Sequence, residues 1–400
     1  MSFNNISQIG NNKCYSCRSC EQICPKKCIT MEENFEGFFY PVIQTNVCID
    51  CGICLSHCPA KSLPNFGRIE KQEFLAVKLK DSNKIMQSAS GGVFAGVAEY
   101  ILSMNGVVFG AAFTDSFSIA HTKAESMEEL QKLKGSKYVE SDTQRTFSEV
   151  KDFLNKGRLV LYSGTPCQIA GLQKFLGRDY ENLYTLDLIC HGTPSRKLFK
   201  KYIEWLENKY KGKIIYYDFR DKKIDGWSCC GKAKINDKTI IIKGFSDPYY
   251  SSFLKSDTYK MSCYSCEYAN INNRPGDLSI GDFWGVSLLS PSFYSKKGVS
   301  EIVINTEKGK RIFDIVNKCF EIIYLTLEKA SYQNKNLITC SKITKKREYV
   351  YEDIDIKTSN DLMKLLMPSK KDWIIGWIKE MIPSSIKVFL KSKIKCGITK

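Results

Sequence analysis

Apolar positions along the chain recur with two different periods, and the changes of period mark its elements. Between residues 91 and 105, Val93, Val97, Tyr100, Ile101 and Met104 fall on one face, so this stretch reads as a helix. The β-branched run at 107–113 reads as a strand. Residues 159–162 form a short apolar run that ends in Ser163-Gly164-Thr165-Pro166 and precedes a helical pattern at 169–176. Residues 183–189 repeat the scheme, ending in Cys190-His191-Gly192-Thr193-Pro194, and Ser195 fits the N-cap of a helix running to about residue 210. Two successive units of strand, Gly/Pro loop and helix place both loops at the carboxyl ends of strands, where α/β sheets bind ligands. Three stretches follow: a cysteine-dense segment at 1–66, an alternating α/β stretch at about 70–330, and a basic remainder with little turn punctuation before Pro368 and Pro383.

Composition narrows the class. With 400 residues and 43% hydrophobic content the chain has material for two or three cores. Its first residues, Met-Ser-Phe-Asn-Asn-Ile-Ser-Gln, carry no basic start followed by an apolar run, so the 18 cysteines are expected in a reducing cytoplasm, where close spacing favours metal over disulfides. No window reaches the roughly 18 apolar residues of a membrane-spanning helix. The net charge of +16 is uneven, since residues 331–400 hold 15 Lys/Arg against seven Asp/Glu while residues 1–70 hold six of each. Charge therefore names no partner, and no basic motif with interleaved aromatics points to nucleic acid.

Cys14, Cys17, Cys20 and Cys24, followed by Pro25, have the spacing C-x2-C-x2-C-x3-C-P, and Cys48, Cys51, Cys54 and Cys58, followed by Pro59, repeat it. In such a pair of runs three thiolates wrap one iron–sulfur cubane and the fourth reaches the other. The expected ligand sets are Cys14, Cys17, Cys20 and Cys58 for one [4Fe-4S] cluster and Cys48, Cys51, Cys54 and Cys24 for a second. Residues 1–66 resemble a bacterial two-cluster ferredoxin. Zinc is the competing occupant, although its thiolate sites more often use two separated pairs. Cys28 reads as a buried surplus residue and His57 as a solvated one.

No G-x-G-x-x-G follows a strand, but Ser88-Ala89-Ser90-Gly91-Gly92 opens a helix whose amides suit an anionic phosphate. This motif, with Gly-Ser-Lys-Tyr-Val at 135–139, Gly-Thr-Pro-Cys-Gln at 164–168, Cys-His-Gly-Thr-Pro at 190–194, Ser-Cys-Tyr-Ser-Cys at 262–266 and Asp-Leu-Ser-Ile-Gly-Asp-Phe-Trp-Gly at 277–285, resembles the family of coenzyme F-420 hydrogenase/dehydrogenase beta subunits in its order along the chain. The resemblance implies a mixed α/β (α+β) flavin-binding domain behind the ferredoxin-like one, an FAD, and a third [4Fe-4S] cluster for which Cys167, Cys190, Cys263 and Cys266 are the expected ligands. It also implies cofactor contacts from Ser90, Gly91, Gly92, Lys137, Gly164, Thr165, Gln168, Asp277 and Asp282, with Phe283 and Trp284 as flavin walls or core residues. His191, beside one expected ligand, is the candidate for proton transfer.

The organisation expected is 1–66 for the ferredoxin-type domain, 67–158 and 159–330 for the two halves of the beta-subunit region, and 331–400 for a basic helical tail. Within the tail, Trp373, Trp377, Phe389 and interleaved lysines suggest peripheral contact with the inner face of a membrane; a docked helix is the alternative. The function expected is oxidoreductase: electrons pass between the clusters and FAD and on to a hydride-exchanging substrate, deazaflavin F-420 in relatives or a carbohydrate in polysaccharide biosynthesis. The rival is a non-catalytic electron-transfer subunit that docks a partner reductase. An electron-donating or accepting protein is an expected partner, and homo-oligomerisation stays open.

Overall fold

The computed structural model describes residues 4–64, 67–372 and 374. Its strands are β1 (Ile29–Glu33), β2 (Phe39–Ile43), β3 (Arg68–Leu79), β4 (Val107–Phe113), β5 (Ile119–Ala124), β6 (Val160–Gly164), β7 (Leu183–Leu188), β8 (Ile214–Asp218), β9 (Cys230–Ile235), β10 (Lys238–Lys243), β11 (Leu278–Asp282), β12 (Ser300–Thr306) and β13 (Phe320–Leu325). Eight form one mixed sheet in the order β13-β3-β12-β11-β7-β6-β4-β5. Its centre, β11-β7-β6-β4, is parallel, and the flanking pairs are antiparallel. The carboxyl ends of β6, β7 and β11 therefore open along one edge, as the two strand-loop-helix units predicted.

The two beta-subunit halves share this sheet, so the boundary at residue 158 falls inside one folding unit. Helix starts follow local chemistry. Val93–Ser103 begins after Gly92, whose φ of +92° admits only a small residue comfortably, and it ends two residues earlier than the periodicity suggested, leaving Met104 exposed as the C-cap. Pro166 sits in the first turn of Pro166–Leu176, where its missing N–H costs nothing. Ser195 caps Arg196–Tyr210 by accepting from Leu198 N at 3.2 Å, as expected.

The ferredoxin-type segment carries the β1–β2 hairpin and the short helices Ser19–Ile23 and Ile53–Ser56. It is docked on the rest of the chain by buried ion pairs. Arg347 makes a bidentate contact with Glu36 at 2.6 Å on each arm, and Arg18 Nη2 donates to Asp142 Oδ2 at 3.0 Å. Arg347 belongs to the expected tail. Residues 345–366 are in fact part of the body: Val350, Tyr351, Ile354, Leu362, Met363 and Leu366 are buried in one core with Leu198, Phe199 and Tyr202. The membrane-seeking segment lies almost wholly outside the described residues. Among the described residues no helix is long and apolar enough to cross a membrane.

Candidate functional site

The thiols of the first two runs lie near one another in the fold. Burial pushes the Cys20 thiol well up, and its acting neighbours are then Cys17, Cys14 and Cys58, with Cys54 of the other quartet next. Cys54 is acted on by Cys24 and Cys51, which joins the fourth cysteine of the first run to the second set. A small cleft is lined by Cys24, Cys48, Cys51 and Cys54 together with Cys28, whose sulfur is 3.5 Å from that of Cys24. Among the described residues no three Cys, His, Asp or Glu side chains are placed around a single ion.

A third set forms at the sheet edge. Cys167 stands in the first turn after β6, Cys190 two residues after β7, and Cys263 and Cys266 arrive on the Met261–Ser265 turn. That turn is held over the edge by the pairing of Pro194 with Tyr259 and by Lys260 N donating to Thr193 O at 3.0 Å. Burial first and then Cys266 push the thiols of Cys167 and Cys263 up to about 12. Cys190 is pushed well up by burial and then by the other three. A bound cation would offset the burial and mutual repulsion that oppose thiolates here.

All four line one cavity of about 320 Å³, within the usual range for small-molecule sites. The ferredoxin-type segment contributes Tyr15 and Ser16 to its wall, so the first quartet and the third are separated only by packed side chains. Cys17 is acted on by Cys167, and Tyr15 by both Cys266 and Cys167.

Ser90, Gly92, Lys137, Gly164, Thr165, Gln168, Asp282 and His191 line the same cavity, whereas Gly91 and Asp277 do not. The Val93–Ser103 helix has no side-chain cap, and its first residues Val93, Phe94 and Ala95 face the cavity, which leaves first-turn amides available to an anion. Behind them the loop is fixed: Lys222 Nζ donates to Ser90 O at 2.6 Å, and Gly91 N to Ser300 Oγ at 2.8 Å. Gly91 is needed for close approach, since a Cβ there would come within 2.3 Å of Val77 O.

Several expected cofactor contacts are used internally instead. Lys137 donates to the carbonyls of Lys132, Leu133 and Lys134 at the end of Met127–Leu133, which occupies all three ammonium hydrogens. Gln168 accepts from Thr165 N at 2.9 Å and donates to Ser141 O at 3.0 Å, closing the turn before Cys167. Asp277 lies at the far end of β11, where it accepts from Thr185 N and Oγ1 at 2.8 Å and from Thr306 Oγ1 at 2.6 Å. Phe283 packs in a core with Val286 and Val299, and Trp284 stacks on Trp227 at 4.7 Å; neither lines the cavity.

Asp282 does face the cavity, held by Arg220 Nη1 at 2.7 Å and Trp227 Nε1 at 2.6 Å. His191 projects an exposed side chain into the same space, where the surrounding walls lower its pKa against an opposing pull from Asp282. Residues that sequence reasoning passed over complete the wall. His121, bonded to Ser141 Oγ at 2.7 Å and Ser163 O at 3.1 Å, is pushed down to about 4 by burial and braces the Gly164 turn as a neutral ring. Arg274, 1% exposed, ties Asp187 to Tyr268 O. No motif announces either, because their partners are distant in sequence.

Two segments of the chain match known families. Residues 157–330 match the family described as the C terminus of the coenzyme F420 hydrogenase/dehydrogenase beta subunit, and residues 13–62 match the 4Fe-4S dicluster domain. The chain is 27% identical over 315 residues to the coenzyme F420-dependent sulfite reductase of Methanocaldococcus jannaschii, covering 77% of this chain but only 46% of that relative. It is 20% identical over 333 residues to the F subunit of the F(420)H(2) dehydrogenase of Methanosarcina mazei, covering 79% of this chain and 85% of the relative. The F420-reducing [NiFe] hydrogenase complex of Methanosarcina barkeri gives a TM-score of 0.45 at 16% identity, over 73% of this chain and 94% of that one. Residues 157–330 are thus similar to the C-terminal family of coenzyme F420 hydrogenase/dehydrogenase beta subunits, and residues 13–62 to the 4Fe-4S dicluster domain.

Proposed function

We propose that the chain is an iron–sulfur flavoprotein oxidoreductase that passes electrons between its ferredoxin-type domain and a hydride-exchanging substrate. The observation that carries this reading is the succession of three thiol quartets ending at a cavity whose far wall is an uncapped helix start. Cys24, Cys48, Cys51 and Cys54 would hold the outermost [4Fe-4S] cluster, Cys14, Cys17, Cys20 and Cys58 the next, and Cys167, Cys190, Cys263 and Cys266 the third. When bound, the clusters supply single-electron exchange and a flavin converts it to two-electron chemistry. The residues of the chain would bind and orient: Ser90, Gly92 and the amides of 93–95 would receive the FAD diphosphate, and Gly164 and Thr165 line the same cavity. His191 is the group assigned to proton delivery, as its ring is open to the cavity and makes no hydrogen bond among the described residues. The substrate class is a deazaflavin or another small hydride carrier.

Anaerobic purification tests the reading. About twelve iron atoms per chain and a releasable FAD are expected, with the dithionite-reduced protein reoxidised by a small acceptor alone. Eight iron atoms would remove the third cluster. A fully iron-loaded protein without flavin would make the chain an electron carrier that serves a partner reductase, and a colourless zinc protein would overturn the whole scheme.

A further inference from the structure

Lys260 stands in the wall between the ferredoxin-type segment and the sheet edge, and neither iron ligation nor the cavity chemistry above calls for a lysine there. Its side chain is 2% exposed. Nζ donates to Glu140 Oε1 at 3.0 Å, to Phe39 O at 3.2 Å and to Ser16 Oγ, and it lies 4.2 Å above the ring of Tyr40. Glu140 pairs with this amine in the buried wall, and the Tyr40 ring faces it.

The position of this cation is specific to the two neighbouring quartets. Ser16, one of its partners, turns its own N–H toward Cys14 Sγ at 3.5 Å. On the other side Cys263 N donates to Lys260 O at 2.9 Å. Lys260 is joined to the Cys14 run through Ser16 and to Cys263 through its own carbonyl, and it lines the cavity together with Cys167. One buried cation thus favours negative charge on ligands of both sites, where little water screens it. Glu140 brings the opposite charge to the same wall, and its Oε2 is buried without a hydrogen-bond partner.

We propose that Lys260, opposed by Glu140, sets the reduction potentials of the two iron–sulfur sites on either side of it, and thereby the balance of electron passage between the ferredoxin-type domain and the cavity. The step served is a one-electron exchange in which one site is oxidised and the other reduced, with no bond or proton transferred. The inference rests on the reading that Cys167, Cys190, Cys263 and Cys266 hold a cluster.

Redox titration of the anaerobic full-length protein, followed by electron paramagnetic resonance, tests it in four forms: unaltered, K260M, K260R and E140Q. K260M should lower both adjacent potentials, by at least a tenfold loss in the reduced-to-oxidised ratio at a fixed potential, which for a one-electron couple is about 59 mV. K260R, which keeps the charge, should stay within a few-fold of the unaltered protein. E140Q should shift the ratio the opposite way. A merely structural lysine would not give opposite signs for K260M and E140Q, so shifts of one sign, or none, overturn the proposal. If K260M fails to fold or loses iron, an upward shift in E140Q with K260R unmoved upholds the proposal, and a flat E140Q overturns it. About eight iron atoms in the unaltered protein would instead remove the third cluster, and the lysine would then be judged on the Cys14 site alone.

Discussion

Cys17 rests directly on the backbone of Gly171: a Cβ added to that glycine would stand 2.6 Å from the cysteine Cβ and 2.8 Å from its sulfur. Cys167 lies one turn earlier on the same helix. A single helix, Pro166–Leu176, therefore begins with a ligand candidate of the third quartet and is pressed against a member of the first.

Gly171→Ala sets two effects against each other. Alanine should gain the helix about 1 kcal/mol in propensity. Overpacking a close-fitted contact typically costs about 1–3 kcal/mol, and here the opposing atom belongs to a cysteine whose position other ligands restrict. The clash should win, lowering the melting temperature and weakening iron retention at the first quartet; calorimetry and iron analysis of the anaerobic protein read both.

Cys266→Ser and Cys24→Ser separate the sites. Each should remove or cripple one cluster, leaving about eight of roughly twelve iron atoms. C266S should also perturb the cavity ligand, whereas C24S, at the remote end of the series, should leave flavin content unchanged. Loss of flavin in both variants alike would contradict this arrangement.

Asp282→Ala strands Arg220, whose side chain is 2% exposed. Removing one partner of a buried ion pair costs about 3–5 kcal/mol. The same change frees the indole N–H of Trp227, which stacks on Trp284 with only 3° between the rings, so tryptophan fluorescence should shift together with the denaturation midpoint. Unchanged emission would show that Asp282 does not hold the stack.

Glu301 gives a pH dependence whose sign can be worked out. Burial raises its pKa from 4.5 to about 8 in the folded protein, with Asn334 the main opposing contact. The native state holds this proton more tightly than the unfolded chain does, so the group's contribution is full below about pH 4.5 and is lost as pH rises to about 8. Glu301→Gln, neutral at every pH, should gain on the unaltered protein across that interval. Parallel urea midpoints at pH 5 and pH 8 would rule the effect out.

The legible parts of the sequence were those in which neighbouring residues carry the information. The cysteine runs, the strands at 107–113 and 183–189 and the Ser195 cap follow from spacing or local geometry; the strands and the cap recur in the fold, the second strand ending at Leu188. Gly91, Lys137, Gln168 and Asp277 show where that information stops. Their residue types suit a cofactor, but whether a donor is already spent depends on carbonyls or hydroxyls that only the folded chain brings near. Lys260, Arg274 and His121 were invisible for the same reason, since each has its decisive partner some 20 to 240 residues away. The tail was misjudged from its charge: Arg347 looks like a solvated surface cation until Glu36 is seen beside it.

That last pair spans 311 positions. A ribosome would release the amino-terminal module long before the arginine that clasps it, so the Arg18–Asp142 pair is available first and the Glu36 clasp closes last.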